Sequence, residues 1–175
     1  MSNSTQSPTS TVQPGDHEGY MRLALSLATQ SPPKPTNYRV GAVIVDPATN
    51  EVLATGFTLE LPGNTHAEQC CIEKLAQKYS VATKQLGQAL PDEVVLYTTV
   101  EPCSQRLSGN QPCVDRIIAV GKRIKTVYVG VQEPETFVSD NSSRRKLEEA
   151  GIEVVLVGGL EKEILEVATA GHEKK

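Results

Sequence analysis

From Glu93 onward the chain alternates short β-branched runs with helical segments, and this alternation leaves few folds open. EVVLYTTV, KTVYVGV and IEVVLVG read as strands, while CVDRIIAV, NSSRRKLEEAG and LEKEILEVATA read as helices between and after them. A strand, a helix and a second strand in that order imply a parallel crossover, right-handed because a right-twisted strand and helix pack back onto the sheet only that way. EVVLYTTV is expected to be buried on both faces, as central strands of such sheets are. Gly121 and Gly151 stop two of the helices.

The first half has a different pattern. YRVGAVIVD and EVLATGF are strand-like runs separated by the turn-prone PATN, which predicts an antiparallel hairpin. Ahead of it, Asp16 is a good helix cap, and HEGYMRLALSLATQ places Met21, Leu25 and Ala28 on one helical face, ended by SPPKP. After the hairpin, Thr65 opens a helix to about Tyr79, with Ala67, Cys71 and Leu75 on its buried side. Residues 1–15 are Ser, Thr, Pro and Gln rich and contain one valine, so they are expected to form a disordered tail. Residues 16–175 then form a single domain in the order α β β α β α β α β α, a helix-covered mixed sheet of the α/β class. A chain of 175 residues can bury a real core, and with 4% aromatics and no Trp that core is built from Val, Ile, Leu and Ala.

Charge and composition exclude several functions. A net charge of -4 without a large basic cluster argues against nucleic acid and for a small-molecule partner. There is no apolar run of about 18 residues, and the N-terminal stretch lacks the apolar centre of a signal peptide, so no membrane partner and a cytoplasmic location are expected. The four cysteines include the neighbours Cys70 and Cys71, which fits burial or metal ligation better than a disulfide framework.

The chemistry centres on THAE and on two Pro-Cys pairs. One reading of Thr65-His66-Ala67-Glu68 is a capping box, with Thr65 capping the helix and Glu68 reaching back to it. The other is a metal site. His66, Cys103 and Cys113 supply one nitrogen and two sulfurs, the donor set of a zinc site whose fourth position stays open to water, and each lies near a helix start. Pro112 suits the first helical position, which puts Cys113 in the first turn, where the helix dipole favours a thiolate. Two thiolates, a neutral imidazole and Zn2+ sum to zero charge. Glu68 is poorly placed to bind the same ion and well placed to move protons beside it, which is the His-x-Glu with later Pro-Cys and Cys pattern of zinc deaminases. The spacing differs from the usual form: nine residues separate Cys103 from Cys113, where two are common, so a loop must leave the metal and return.

With these residues in view, NYRVGAVIVD, HAE, EPCSQRLSGNQPC and KLEEAGIEVV together resemble the pyrimidine deaminases of riboflavin biosynthesis, most closely the free-standing fungal type. The resemblance covers roughly residues 17–172. It implies a cytidine-deaminase-like three-layer α/β/α fold with a mixed five-stranded sheet, a bound zinc and a homodimer. It also implies hydrolytic deamination of a 2,5-diamino-6-(ribitylamino or ribosylamino)-pyrimidinone 5'-phosphate, a small phosphorylated pyrimidine, with release of ammonia. Asn37 matches a substrate-contacting asparagine of the family, followed here by Tyr38 in place of a proline. Ser104 and Gln105 follow the first cysteine, with glutamine where bacterial members have histidine, and Thr58 replaces a second histidine of theirs.

Glu68 is thus the expected catalytic acid and base, and the main-chain N–H groups of Ala67 and Cys103 are expected to face the developing charge. Arg106, in the loop between the cysteines, and Arg39, close to Asn37, are the candidate phosphate contacts; each competes with an ordinary surface role. His17 and His172 are read as surface histidines and Arg144, Arg145 and Lys146 as a solvated face. The loop at 132–140 is a candidate lid carrying Phe137, with a plain anchored turn as the preferred alternative. Two rival functions stand beside this one: another deaminase, acting on tRNA adenosine, cytosine or dCMP, and a structural zinc module in which Cys70 or Cys71 is the fourth ligand.

Overall fold

The structure is a computed structural model and describes residues 12–103, 111–121, 123–132 and 142–172. Its strands are β1 (Gly41–Asp46), β2 (Glu51–Phe57), β3 (Val94–Val100), β4 (Ile124–Val131) and β5 (Glu153–Leu156). Its α-helices are α1 (His17–Ala28), α2 (Ala67–Lys78), α3 (Leu86–Ala89), α4 (Cys113–Val120), α5 (Ser142–Glu149) and α6 (Glu161–Ala168). One five-stranded sheet runs in the order β2-β1-β3-β4-β5. β1 is antiparallel to both β2 and β3, whereas β3, β4 and β5 are mutually parallel. This is the mixed five-stranded sheet that the resemblance implies.

Side-chain alternation along β1 and β3 separates two cores. Ala42, Ile44 and Leu96 point to the face covered by Ile72 and Leu75 of α2, Val114 and Ile117 of α4, and Leu147 of α5. Val43, Val45, Val95 and Tyr97 point to the opposite face, under Tyr20, Met21 and Ala24 of α1 and Ile164 of α6. Every residue of β1 and β3 is buried, as a strand covered by helices on both sides must be.

Several local readings change. On α1 the buried positions are Tyr20, Met21, Ala24 and Ala28, while Leu25 is only half-buried. A single 3-10 turn (Thr83–Gln85) and the four-residue α3 precede β3, too short to show a helical period. α2 begins at Ala67 with His66 as its cap, one residue later than expected, and α4 spans CVDRIIAV as read, with Pro112 as its cap and not its first residue. Val12, within the stretch expected to be a tail, is buried against the α1 face of the sheet; residues 1–11 lie outside the described ones. His17 is exposed, as read from the sequence, and its Nδ1 lies 2.7 Å from the Tyr97 hydroxyl while its ring stacks on Tyr128.

Candidate active site

Residues from three elements meet where β3 ends and α2 and α4 begin. Position 56 of β2 must be glycine for this to happen: a Cβ there would lie 2.3 Å from the Ala67 carbonyl oxygen and 3.0 Å from the Cys71 nitrogen. The first turn of α2 therefore rests directly on the sheet. The chain reaches it through a wound loop in which Leu59 N–H donates to Thr65 O at 2.8 Å and Thr65 Oγ1 donates to Leu61 O at 3.0 Å. Thr65 is thus spent on the loop, and the alternative reading of Thr65 and Glu68 as a capping box does not hold. His66 caps the helix instead, its N–H donating to Gln69 Oε1 at 3.4 Å.

With His66 in that place, its Nδ1 lies 3.6 Å from Cys103 Sγ and 3.4 Å from Cys113 Sγ. A tetrahedral zinc with bonds of about 2.3 Å to sulfur and about 2.0–2.1 Å to nitrogen has N···S edges near 3.5–3.6 Å. Both nitrogen–sulfur separations therefore already match such an ion, and all three donor atoms lie within 4.8 Å of one another. Cys103 and Cys113 are buried and His66 is half-buried. The long excursion between the cysteines is closed by the first turn of α4, where Cys113 N–H donates to Cys103 Sγ at 3.3 Å and Val114 N–H to Cys103 O at 3.1 Å. The Cys113 amide stabilises negative charge on the Cys103 sulfur. The Cys103 thiol is pulled down to about 4, chiefly by the hydrogen bond from Cys113 and then, against burial, by that from His66. Cys113, which gives up that proton last, is pushed up. A cluster that holds one sulfur as thiolate beside an imidazole is a fit receptor for a thiophilic dication.

Glu68 lies one step further along the same turn and is 3% exposed. Its Oε1 accepts a hydrogen bond of 2.7 Å from Thr98 Oγ1 of β3. Burial pushes its carboxyl above the ordinary carboxylate range, and the negative charge of Cys103 pushes it further. His66 and the Thr98 hydroxyl pull the other way. A buried carboxyl with a raised pKa beside this His/Cys/Cys cluster is suited to passing protons. Thr98 was not recognisable in the sequence, because a threonine in a strand is ordinary there.

The remaining candidates are placed as follows. Asn37 Nδ2 donates to Asn64 Oδ1 at 3.0 Å, which ties its loop to the residues before His66. His172 Nε2 lies 2.9 Å from Asn37 O, so this histidine braces the loop. Arg39 directs Nε to Ser31 O at 2.8 Å and its NH2 group to Thr29 O at 2.5 Å, so its guanidinium closes the C-terminal end of α1. Ala67 is the first residue of α2 and fully buried, with its N–H in the unpaired first turn of a helix. Thr58 is buried and its Oγ1 accepts from Val40 N–H at 3.0 Å. Ser104, Gln105, Arg106 and most of the loop with Phe137 lie outside the described residues. Cys71 Sγ approaches Ala42 O at 3.3 Å, and Cys70 bonds with the Thr65 side chain and the Leu61 backbone, so both adjacent cysteines have partners outside the cluster. Arg144, Arg145 and Lys146 are exposed.

Comparison with known proteins points the same way. Residues 14–131 match the model of the cytidine and deoxycytidylate deaminase zinc-binding region. The chain is 38% identical over 164 residues to a diaminohydroxyphosphoribosylamino-pyrimidine deaminase of Schizosaccharomyces pombe, covering 94% of this chain and 38% of that protein's length. It thus spans about two fifths of this curated relative. It also superposes on a C-terminal deletion mutant of Aspergillus oryzae Rib2 deaminase with a TM-score of 0.83 and 48% identity, covering 90% of this chain and 93% of the other. The same Aspergillus oryzae deaminase in complex with DARIPP matches with a TM-score of 0.82 and 48% identity, over 90% and 92% of the two chains.

Proposed function

This chain belongs to the cytidine and deoxycytidylate deaminase zinc-binding family, and from that membership we propose that it is a zinc-dependent hydrolase of riboflavin biosynthesis. Its substrate in this reading is a 2,5-diamino-6-(ribitylamino or ribosylamino)-pyrimidinone 5'-phosphate, and its products are the deaminated pyrimidine and ammonia. The likeness to the two fungal proteins supports the substrate class. The observation that carries the chemistry is the buried Glu68 carboxyl beside three donor atoms spaced for a tetrahedral ion.

His66, Cys103 and Cys113 would hold the zinc, which when bound lowers the pKa of a water to about 7. Glu68 would take one proton from the attacking water and deliver it to the ring nitrogen next to the amino-bearing carbon. As the water oxygen bonded to that carbon, Glu68 would pass the water's second proton to the departing amine. One C–N bond breaks, one C–O bond forms, and ammonia leaves. The main-chain N–H groups of Ala67 and Cys103 steady the charge that develops on the pyrimidine. Asn37, Ser104, Gln105 and Arg106 contact the sugar phosphate, with Arg39 bracing the loop that bears Asn37. No described helix is long and apolar enough to cross a membrane; a cytoplasmic location belongs to the same proposal. A homodimer without a nucleic-acid partner completes the reading.

The test is ammonia release from purified protein over a panel of the ribityl and ribosyl pyrimidine phosphates, cytosine, dCMP and a tRNA anticodon stem. Only the pyrimidine phosphates should react. Glu68→Gln should keep its zinc and lose at least about a hundredfold in rate, as removal of a general acid and base does. A Glu68→Gln protein that releases ammonia at the wild-type rate would overturn the assignment.

A further inference from the structure

We propose that Thr98 is a positioning residue for Glu68, acting through its hydroxyl; the inference rests on the deaminase reading above. Thr98 sits in the centre of β3, paired with Ala42 on one side and Val129 on the other, and is fully buried. Its neighbour on the same face, Leu96, is apolar and packs in the core under α2. A hydroxyl at this place must find a partner, because a buried polar group without one is costly.

Thr98 Oγ1 has two partners within reach: Glu68 Oε1 at 2.7 Å and Val100 O at 2.9 Å. Val100 O alone would satisfy the hydroxyl as a donor, and a purely structural threonine would need nothing more. The geometry adds Glu68 at the shorter distance. A hydroxyl carries one proton and two lone pairs. While Glu68 is a carboxylate, the proton of Thr98 points to it. Oε1 is thereby held as an acceptor by a residue of the rigid central strand, and the other carboxyl oxygen is left to move protons.

The effect of this arrangement is directional. α2 reaches the sheet by a glycine contact and presents Glu68 from its first turn. The carboxyl would still be free to rotate about its side-chain bonds. With Oε1 tied to the rigid β3, those rotations are fixed, and Oε2 is the oxygen left for proton transfer. Preorganisation of this kind acts on the rate of the chemical step and leaves substrate affinity alone.

The experiment compares Thr98→Val, which keeps the shape and removes the hydroxyl, with Thr98→Ser, which restores it, and with both Glu68→Gln and the Glu68→Gln/Thr98→Val double variant. Thr98→Val should lose on the order of 10- to 100-fold in kcat, the scale of a hydrogen bond to a charged group, with KM changed by less than about twofold. Zinc content should stay at the wild-type value, and Thr98→Ser should recover most of the rate. In the Glu68→Gln background the valine should cost nothing further, since its route of action is gone. Wild-type kcat in Thr98→Val would overturn the proposal, as would equal impairment in Thr98→Ser, loss of zinc in both, or a full multiplicative loss in the double variant. If Thr98→Val does not fold, Thr98→Ala takes its place in the same comparison. Full activity of Glu68→Gln alone would instead sink the underlying deaminase mechanism, a separate result.

Discussion

Replacing Gly56 by alanine tests whether the site is built by the contact between β2 and the start of α2. The φ of Gly56 lies outside the left-handed region, so the backbone itself would accept alanine. Judged on local conformation, Gly56→Ala should stabilise the protein by about 0.4–1 kcal/mol, because alanine restricts the unfolded chain. The structure predicts the opposite sign. The new Cβ would stand 2.3 Å from Ala67 O, 3.0 Å from Cys71 N and 3.1 Å from Cys70 Cβ, two of these being backbone atoms that no rotamer change can move. An ordinary contact begins at 3.4 Å, so α2 and β2 must separate by about 1 Å.

Overpacking on this scale costs about 1–3 kcal/mol. At 175 residues each kcal/mol corresponds to about 2–4 °C, so the melting temperature should fall by between about 2 and 12 °C. The same shift carries His66 and Glu68 away from β3 and α4. A misplacement of about 1 Å costs on the order of a hundredfold in rate, so activity should fall far more than stability. Urea and thermal melts followed by circular dichroism give the first number, and ammonia release under conditions where the variant is fully folded gives the second. A Gly56→Ala protein that is more stable than the wild type, or as active, would refute the claim that this contact sets the position of α2.

Two further outcomes are expected. Cys70→Ser should retain its full zinc complement and most of its rate, because Cys70 bonds with the Thr65 side chain and the Leu61 backbone and is not among the three clustered donors; loss of metal in this variant would favour a closed structural site. At alkaline pH, burial raises the phenols of Tyr20, Tyr97 and Tyr128 above their ordinary value of about 10, while unfolded tyrosines still ionise there. The stability these groups contribute is complete below pH 10 and is lost as pH climbs past it, so the phenolate absorbance of these three should rise together with unfolding, and early independent titration of all five tyrosines would contradict their burial.

Much of the fold and the metal cluster was legible in the sequence, for reasons that show why the rest was not. The strands from EVVLYTTV onward are long β-branched runs, and Gly121 and Gly151 sit with φ of 93° and 86° where the helices before them stop. His66, Cys103 and Cys113 stand out because imidazoles and thiols are scarce here and their chemistry is narrow. The capping box was harder. Thr65 with Glu68 and His66 with Gln69 have the same spacing, and local chemistry cannot choose between frames one residue apart. The choice is made by a tertiary contact, since Glu68 has a partner in Thr98, thirty positions away.

That dependence divides the site into two kinds of residue. Residues that do chemistry are restricted in type, so a reader of the sequence meets them as exceptions. Residues that aim the chemistry, such as Gly56, Thr98 and Asn64, are common types in unremarkable local settings, and their role exists only where another element arrives. Gly56 in a strand looks like a weakness until α2 lies on it, and Thr98 looks like a good strand former until a carboxylate meets its hydroxyl. Because β3 serves both as the middle of the core and as the anchor of Glu68, substitutions there must satisfy two demands at once. A volume-matched exchange such as Thr98→Val satisfies the packing demand and fails the other, and so separates stability from catalysis at a single buried position.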